Sequence, residues 1–269
     1  MPAHVQLLTF LIVVAGVTAG VTAGVTSRHE KEDKEPREGW SHLVLAQSWP
    51  QSVCKKLQSE HLKCYVPDSV KKSWTIHGLW TYHRESCNDL WPFQIANIQD
   101  LVPYMNEYWP ALKASNSTFF WSREWSRHGT CAAQLSALGS QHKYFAKAIE
   151  LYQMIDVAGA LGDAGIYPSH GKGYKFKHVL AAISAAFGVT PKLMCLDMPR
   201  FQDAQMLSEI HVCWTKDFLP VDCSKVPDFN AAAADDKRGN PQSGPAGSLH
   251  CNPTKWLFYP DISMPAACL

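Results

Sequence analysis

The stretch Phe119-Phe-Trp-Ser-Arg-Glu-Trp-Ser-Arg-His-Gly-Thr-Cys131 gathers a carboxylate, an imidazole and two guanidiniums among aromatic side chains. At helical period Phe120, Trp121, Glu124, Trp125 and His128 share a face, which stacks Glu124 one turn before His128. Ser117 or Thr118 is placed to cap this helix and Gly129 to end it. Arg123 and Arg127 flank the face, so an anion there meets positive charge while a general base has a carboxylate neighbour. The plainer alternative is an amphipathic helix buried through Phe120, Trp121 and Trp125, with Glu124 and His128 as a surface pair.

A second segment, Trp74-Thr-Ile-His-Gly-Leu-Trp80, reads as extended, with Trp74 and Ile76 facing one way and Thr75, His77 and Leu79 the other. His77 is a second candidate proton carrier, against the commoner role of a satisfied core histidine. Gly78 permits close approach by a backbone or ligand, and Trp80 offers a flat surface on which a base could stack. Two histidines beside a phosphate suit cleavage of RNA: one takes the 2′-hydroxyl proton and the other protonates the departing 5′-oxygen. Such chemistry needs no cofactor. Twelve histidines and nine cysteines invite a zinc reading, but His-Glu-x-x-His and Cys-x-x-Cys are both absent, so no metal site is expected. His29, His83, His142 and His250 read as solvated surface residues.

The two segments, Trp74 to Trp80 and Glu124-Trp-Ser-Arg-His-Gly-Thr-Cys131, resemble the active-site segments of the ribonuclease T2 family. The similarity runs from His42-Leu-Val-Leu-Ala-Gln-Ser-Trp-Pro50 to Leu257-Phe-Tyr-Pro260 and is nearest the animal members. It implies a metal-independent endoribonuclease that cuts single-stranded RNA by transesterification to 2′,3′-cyclic phosphate ends. His77 and His128 would be the acid and the base, and Glu124 and Arg127 would stabilise the pentacoordinate phosphorus. Arg123 stands where the family usually has histidine, and Arg127 where it usually has lysine. Both keep a cationic donor, so phosphate binding should survive while the pH dependence differs. Thr81-Tyr82 replaces the usual Pro-Asp, which removes an acceptor for a base, so the family's base preference is not carried over. Tyr82 is then a stacking or donating group, or an exposed loop tyrosine.

Scattered cysteines point to an oxidising compartment but leave their connectivity open. The resemblance implies Cys54 with Cys64, Cys87 with Cys131, Cys195 with Cys251 and Cys213 with Cys223, leaving Cys268 over. The apolar, small-residue run Val5 to Val25 reads as a signal peptide (1–24), with a retained anchor as the alternative, followed by a charged segment (25–39). Asn116-Ser-Thr118 is an N-glycosylation acceptor. These features place the protein in the secretory or endolysosomal lumen, as a monomer acting on single-stranded RNA, with neither DNA nor a membrane as a stable partner. A net charge of +1 makes it unlike a tight, non-specific nucleic-acid binder.

Residues 40–269 are expected to form one catalytic domain, since a chain that is 46% hydrophobic can fill a single core of this size. Tyr144, Phe145, Ala148, Ile149, Tyr152 and Ile155 predict a helix over 142–162, and Phe176 to Phe187 another, stopped at Gly188. Pro191 to Leu196 and Glu209 to Trp214 read as strands, and 230–248 as a long loop. Helices followed by strands imply an α+β domain, an antiparallel sheet packed with helices and stapled by disulfides. A secreted interaction or signalling protein on a ribonuclease scaffold, with catalysis weakened at Arg123 and Tyr82, is the competing function.

Overall fold

A computed structural model of the chain describes residues 39–82, 84–226 and 249–262. The expected leader, most of the charged segment (with His29), His83, the 230–248 loop and Cys268 lie outside the described residues.

In chain order the elements are β1 (Leu43–Ser48), α1 (Pro50–Ser59), β2 (Thr75–Thr81), α2 (Val102–Tyr108) and α3 (Thr118–Glu124). They continue through a π turn (Trp125–Gly129), α4 (Thr130–Ala132), α5 (Gln141–Gln153) and α6 (Val157–Asp163). The remainder is β3 (Gly173–Lys175), α7 (Phe176–Phe187), β4 (Lys192–Asp197), β5 (Ala204–Trp214), β6 (Pro220–Val221), β7 (Leu249–His250) and β8 (Trp256–Phe258). The sheet runs β2-β1-β5-β4-β7, with β6 and β8 also on β5 and β3 on β8. Every ladder is antiparallel except β5 with β8. The class is α+β as expected, although strands and helices interleave: β1 and β2 come from the first third of the chain, and β1 pairs with β5 from near its other end.

Long β5 is buried along its whole length and divides two environments. Leu207, Ile210, Val212 and Trp214 join Leu43, Leu45, Ile76, Leu79 and Leu193 in the main core, which α5 covers with Tyr144, Phe145 and Ala148. The opposite face carries polar groups, among them Glu209 and His211. The helix predicted over 142–162 is two helices, because Ile155 turns into the core and the Asp156 carboxylate accepts from Gly159 N–H, starting α6 afresh. Helix α7 matches its prediction and ends at Gly188, whose φ of 70° is the left-handed conformation that glycine adopts freely. All four disulfides implied by the family resemblance are formed.

Strand β2 lies at the sheet edge, where free carbonyls need partners. Three aromatic donors supply them: Tyr152 Oη donates to Trp74 O (2.7 Å), Trp109 Nε1 to His77 O (2.8 Å) and Tyr144 Oη to Leu79 O (2.8 Å). The strand that carries His77 is thereby fixed on both sides.

Candidate active site

Alternation along β2 breaks at His77. Ala46 pairs with Gly78 and the next residue, Gln47, pairs with Ile76, so His77 is the extra residue of a β-bulge. A bulge re-aims a side chain. Ile76 and Leu79 remain in the core while His77 joins Gly78 and Trp80 on the polar face, a correction to the predicted grouping of His77 with Leu79. The ring centroids of His77 and Trp80 are 4.8 Å apart, edge to face.

The helix bearing the other histidine does not end at Gly129. Thr130 N–H donates to Trp125 O, five residues back, so one π turn is inserted and the helix then continues to Ala132. Gly129 is helical, and a Cβ there would collide with the Trp125 ring, so it serves close packing rather than termination. The cap is also corrected: Asn116 Oδ1 accepts from Thr118 N–H, whereas Ser117 Oγ accepts from Ala111 N–H. Beyond Glu124 the wider turn breaks the simple i,i+4 stack. Glu124 Oε2 instead accepts from Trp80 Nε1 at 3.0 Å, and the Trp80 ring lies 5.6 Å from that of His128. Gly78 makes this possible, since a Cβ there would fall on Trp80 Nε1 and Glu124 Oε2. Trp80 is thus in ring contact with three imidazoles, meeting His211 as well at 5.2 Å. The Cys87–Cys131 bond and the Ser86 N–H bond to Arg127 O (2.7 Å) tie the loop after β2 to this helix.

Burial and charge push the two histidines in opposite directions. Burial pulls His77 down, but the carboxylates of Glu209 and then Glu124 outweigh it and raise its pKa above 6.5, against a smaller opposing push from Arg123. For His128 burial acts in the same direction as the positive charges of Arg127, His77 and Arg123, holding it well below 6.5. Burial also raises Glu124, opposed by His77, the Trp80 bond, Arg123 and Arg127. Near neutrality this favours a charged His77 and an uncharged His128.

The guanidiniums divide differently from expectation. Arg127 Nη2 is held by Glu85 Oε2 at 2.6 Å, while Arg123 is exposed and makes no ion pair among the described residues, although its field reaches His77, Glu124 and His128. Arg123 is therefore the cation open to an anion. Tyr82, in the turn just after β2, is neither exposed nor an open platform: it is buried with Val44, Cys213, Cys223 and Val226. His250, on β7, is exposed as expected, although desolvation by the surrounding protein, then Lys192 and His211, draw its pKa down to about 4. His142, as expected, is a surface residue, paired with Asp100. Asn116 is exposed.

Two site residues were not anticipated. Glu209, with no exposed surface, places Oε1 3.0 Å from His77 Nδ1 and Oε2 2.8 Å from His211 Nε2. The His77 approach is an ion-pair distance outside hydrogen-bond geometry. Ser48 Oγ donates to Glu209 Oε1 at 3.1 Å. The available signal was two ionisable residues at i and i+2 inside the apolar run Leu207 to Val212. Among the described residues no group of three His, Cys, Asp or Glu side chains is placed to hold a metal ion, and no helix is long and apolar enough to cross a membrane.

The ribonuclease T2 family profile matches residues 40–223. Ribonuclease T2 of Danio rerio is 37% identical over 227 residues, which are 84% of this chain and 90% of that protein. Ribonuclease T2 of Homo sapiens is 41% identical over 188 residues, 68% of this chain and 71% of that one. The crystal structure of human RNase T2 aligns with a TM-score of 0.66 at 36% identity, covering 82% of this chain and 98% of that one.

Proposed function

This chain belongs to the ribonuclease T2 family, and from that premise we propose that it is an endoribonuclease that cuts single-stranded RNA without a metal, leaving 2′,3′-cyclic phosphate ends. The observation that carries this reading is the pair of imidazoles that both contact Trp80, in surroundings that push their pKa values in opposite directions.

Uncharged His128 takes the 2′-hydroxyl proton, the 2′-oxygen forms its bond to phosphorus, and the bond from phosphorus to the 5′-oxygen breaks. Charged His77 delivers a proton to that departing oxygen. Negative charge gathers on the phosphoryl oxygens in between, where Arg123 is the accessible guanidinium and Arg127 retains N–H donors that Glu85 does not use. Glu124, anchored by Trp80, faces the same space. DNA lacks the attacking hydroxyl and is not a substrate. The four disulfides favour an oxidising compartment, in keeping with secretion or the endolysosomal lumen, and exposed Asn116 is free to carry a glycan. We take the enzyme to be a monomer.

The test is cleavage of RNA and matched DNA by oxidised protein in chelator, with product ends read by mass spectrometry. Cyclic phosphate ends from RNA alone, lost in His128→Ala and His77→Ala, are the expected result. A folded wild-type protein that leaves RNA intact, or either alanine variant cutting at full single-turnover rate, overturns the reading.

A further inference from the structure

Glu209 and His77 stand two strands apart, with β1 between them. Adjacent strands are about 4.8 Å apart, so β2 and β5 are separated by about twice that, and side chains meet across the gap only if the strand beneath is low. It is: Ala46 pairs with Gly78 on one side and His211 on the other, and Ser48 pairs with Glu209. Over this floor of an alanine and a serine the bulged His77 and Glu209 come within 3.0 Å. A second irregularity, between Met194 and Cys195 in the β4–β5 ladder, keeps Glu209 and His211 on the polar face while Leu207 returns to the core. Two bulges and two small residues therefore converge on one contact.

A carboxylate with no exposed surface is costly unless its lone pairs are used. Here the partners are two imidazoles and one hydroxyl, inside a strand whose neighbours Leu207, Ile210 and Val212 are all core residues. Nothing about the fold alone calls for an acid at this point.

We propose that Glu209, steadied through its second oxygen by His211, is the positioning residue of His77: it fixes the ring with Nδ1 turned to the carboxylate and Nε2 left for the substrate, and keeps the ring charged as a proton donor. This rests on the reading of His77 as the general acid. Glu209 touches no substrate and keeps its charge throughout, while the proton delivered comes from Nε2. Its own pKa is pulled to about 2, because His77 and His211 together outweigh the cost of burial. His77 is faced by Glu209 from β5, by Glu124 and Arg123 from α3 and by His128 from the π turn, so Glu209 is one of two carboxylates set against one guanidinium and one imidazole. His211 is faced by Glu209, by Lys192, its register partner on β4, and by His250 on β7.

The experiment compares wild type with Glu209→Gln, which has nearly the same shape and no charge. Expected are a kcat roughly 10- to 100-fold lower, less than the 10²- to 10⁴-fold a general acid itself supplies, a KM little changed, and an alkaline limb of the pH profile moved to lower pH. NMR titration of the His77 ring should show the same downward move. His211→Gln, which keeps an N–H for the carboxylate, should stay near wild type, and His211→Leu should not. A Glu209→Gln enzyme slowed without any move of the limb or of the His77 titration makes Glu209 merely structural and overturns the proposal. Should Glu209→Gln fail to fold, titration of His77 in the wild-type protein decides: a value at or below 6.5 overturns it as well. A folded wild type that does not cut RNA defeats the parent reading instead, and the His77 titrations still judge the contact.

Discussion

Replacing Gly78 by alanine puts one methyl group where the Trp80–Glu124 hydrogen bond crosses the strand. The added carbon would overlap both Trp80 Nε1 and Glu124 Oε2: the rigid indole is packed against His77, His128 and His211, and the Glu124 carboxylate, although the end of its side chain, is buried and held by the Trp80 bond. Something must give, and the bond is the weakest link. A hydrogen bond to a charged acceptor contributes about 1.5–3 kcal/mol, and forcing an extra methyl into a packed site costs about 1–3 kcal/mol. Because the two overlap, a net loss of about 3 kcal/mol is expected, which lowers Tm by roughly 6–12 °C in a domain of this size. If the bond alone is lost in full at the transition state, kcat/KM falls by roughly 10- to 150-fold.

Calorimetry and single-turnover cleavage measure these two effects, and a double-mutant cycle with Trp80→Phe isolates their origin. Phenylalanine has no Nε1 and already lacks the bond, so Gly78→Ala should do much less harm in that background, with a coupling of about 1–3 kcal/mol. Wild-type Tm and kcat/KM in Gly78→Ala, or single effects that add to within about 0.5 kcal/mol, would refute the idea that this crossing is what fixes Glu124.

The pH dependence of kcat/KM should be bell-shaped. His128 must be uncharged to act as base and sits well below 6.5, so the acid limb lies on the acid side of that value; His77 must be charged to act as acid and is raised above 6.5, so the alkaline limb lies beyond it. Both limbs on the same side of 6.5 would contradict the role assignment. Glu85→Gln releases Arg127 from a part-exposed ion pair, so stability should change by less than about 1 kcal/mol, while RNA affinity rises and its salt dependence steepens by about 0.7 in log–log slope; an unchanged slope counts against Arg127 as a phosphate contact. Opening the Cys87–Cys131 bond with paired serines frees a loop of sequence separation 44. That should lower stability by about 4 kcal/mol and Tm by roughly 8–16 °C, with cleavage reduced even where the protein remains folded. A smaller Tm change with full activity would show that the bond does not hold β2 against its helix.

Much of the fold was legible because it is written in local patterns. The apolar stripe Phe176 to Phe187 and Gly188 after it specify a helix and its left-handed stop without help from distant residues. The strand at Glu209 to Trp214 was recognisable from its apolar run, although its true start at Ala204 was not. Where local signals compete, tertiary contacts chose: Ile155 went into the core and Asp156 opened a new helix, splitting a continuous stripe. Gly129 reads as a terminator in isolation, yet the Trp125 ring beside it makes it a packing residue in the middle of a helix.

At the site the same division holds. His77, Glu124 and His128 could be put forward as candidates from residue type, spacing and the family resemblance, because proton transfer and phosphate binding restrict which side chains will serve. Which arginine is open, that Tyr82 is buried and that Glu209 stands behind His77 could not, since each depends on residues far apart in the chain. The bulge that turns His77 is one unpaired residue in a ladder, and it inverts the side-chain period of two that any reading of β2 alone must assume. Glu209 reaches His77 across a strand made low by Ala46 and Ser48, a relation set by register between three segments. Sequence by itself determined the chemical groups and the elements that carry them; pairing register and close packing, which act only once those elements meet, decided which groups face each other and in what state of charge.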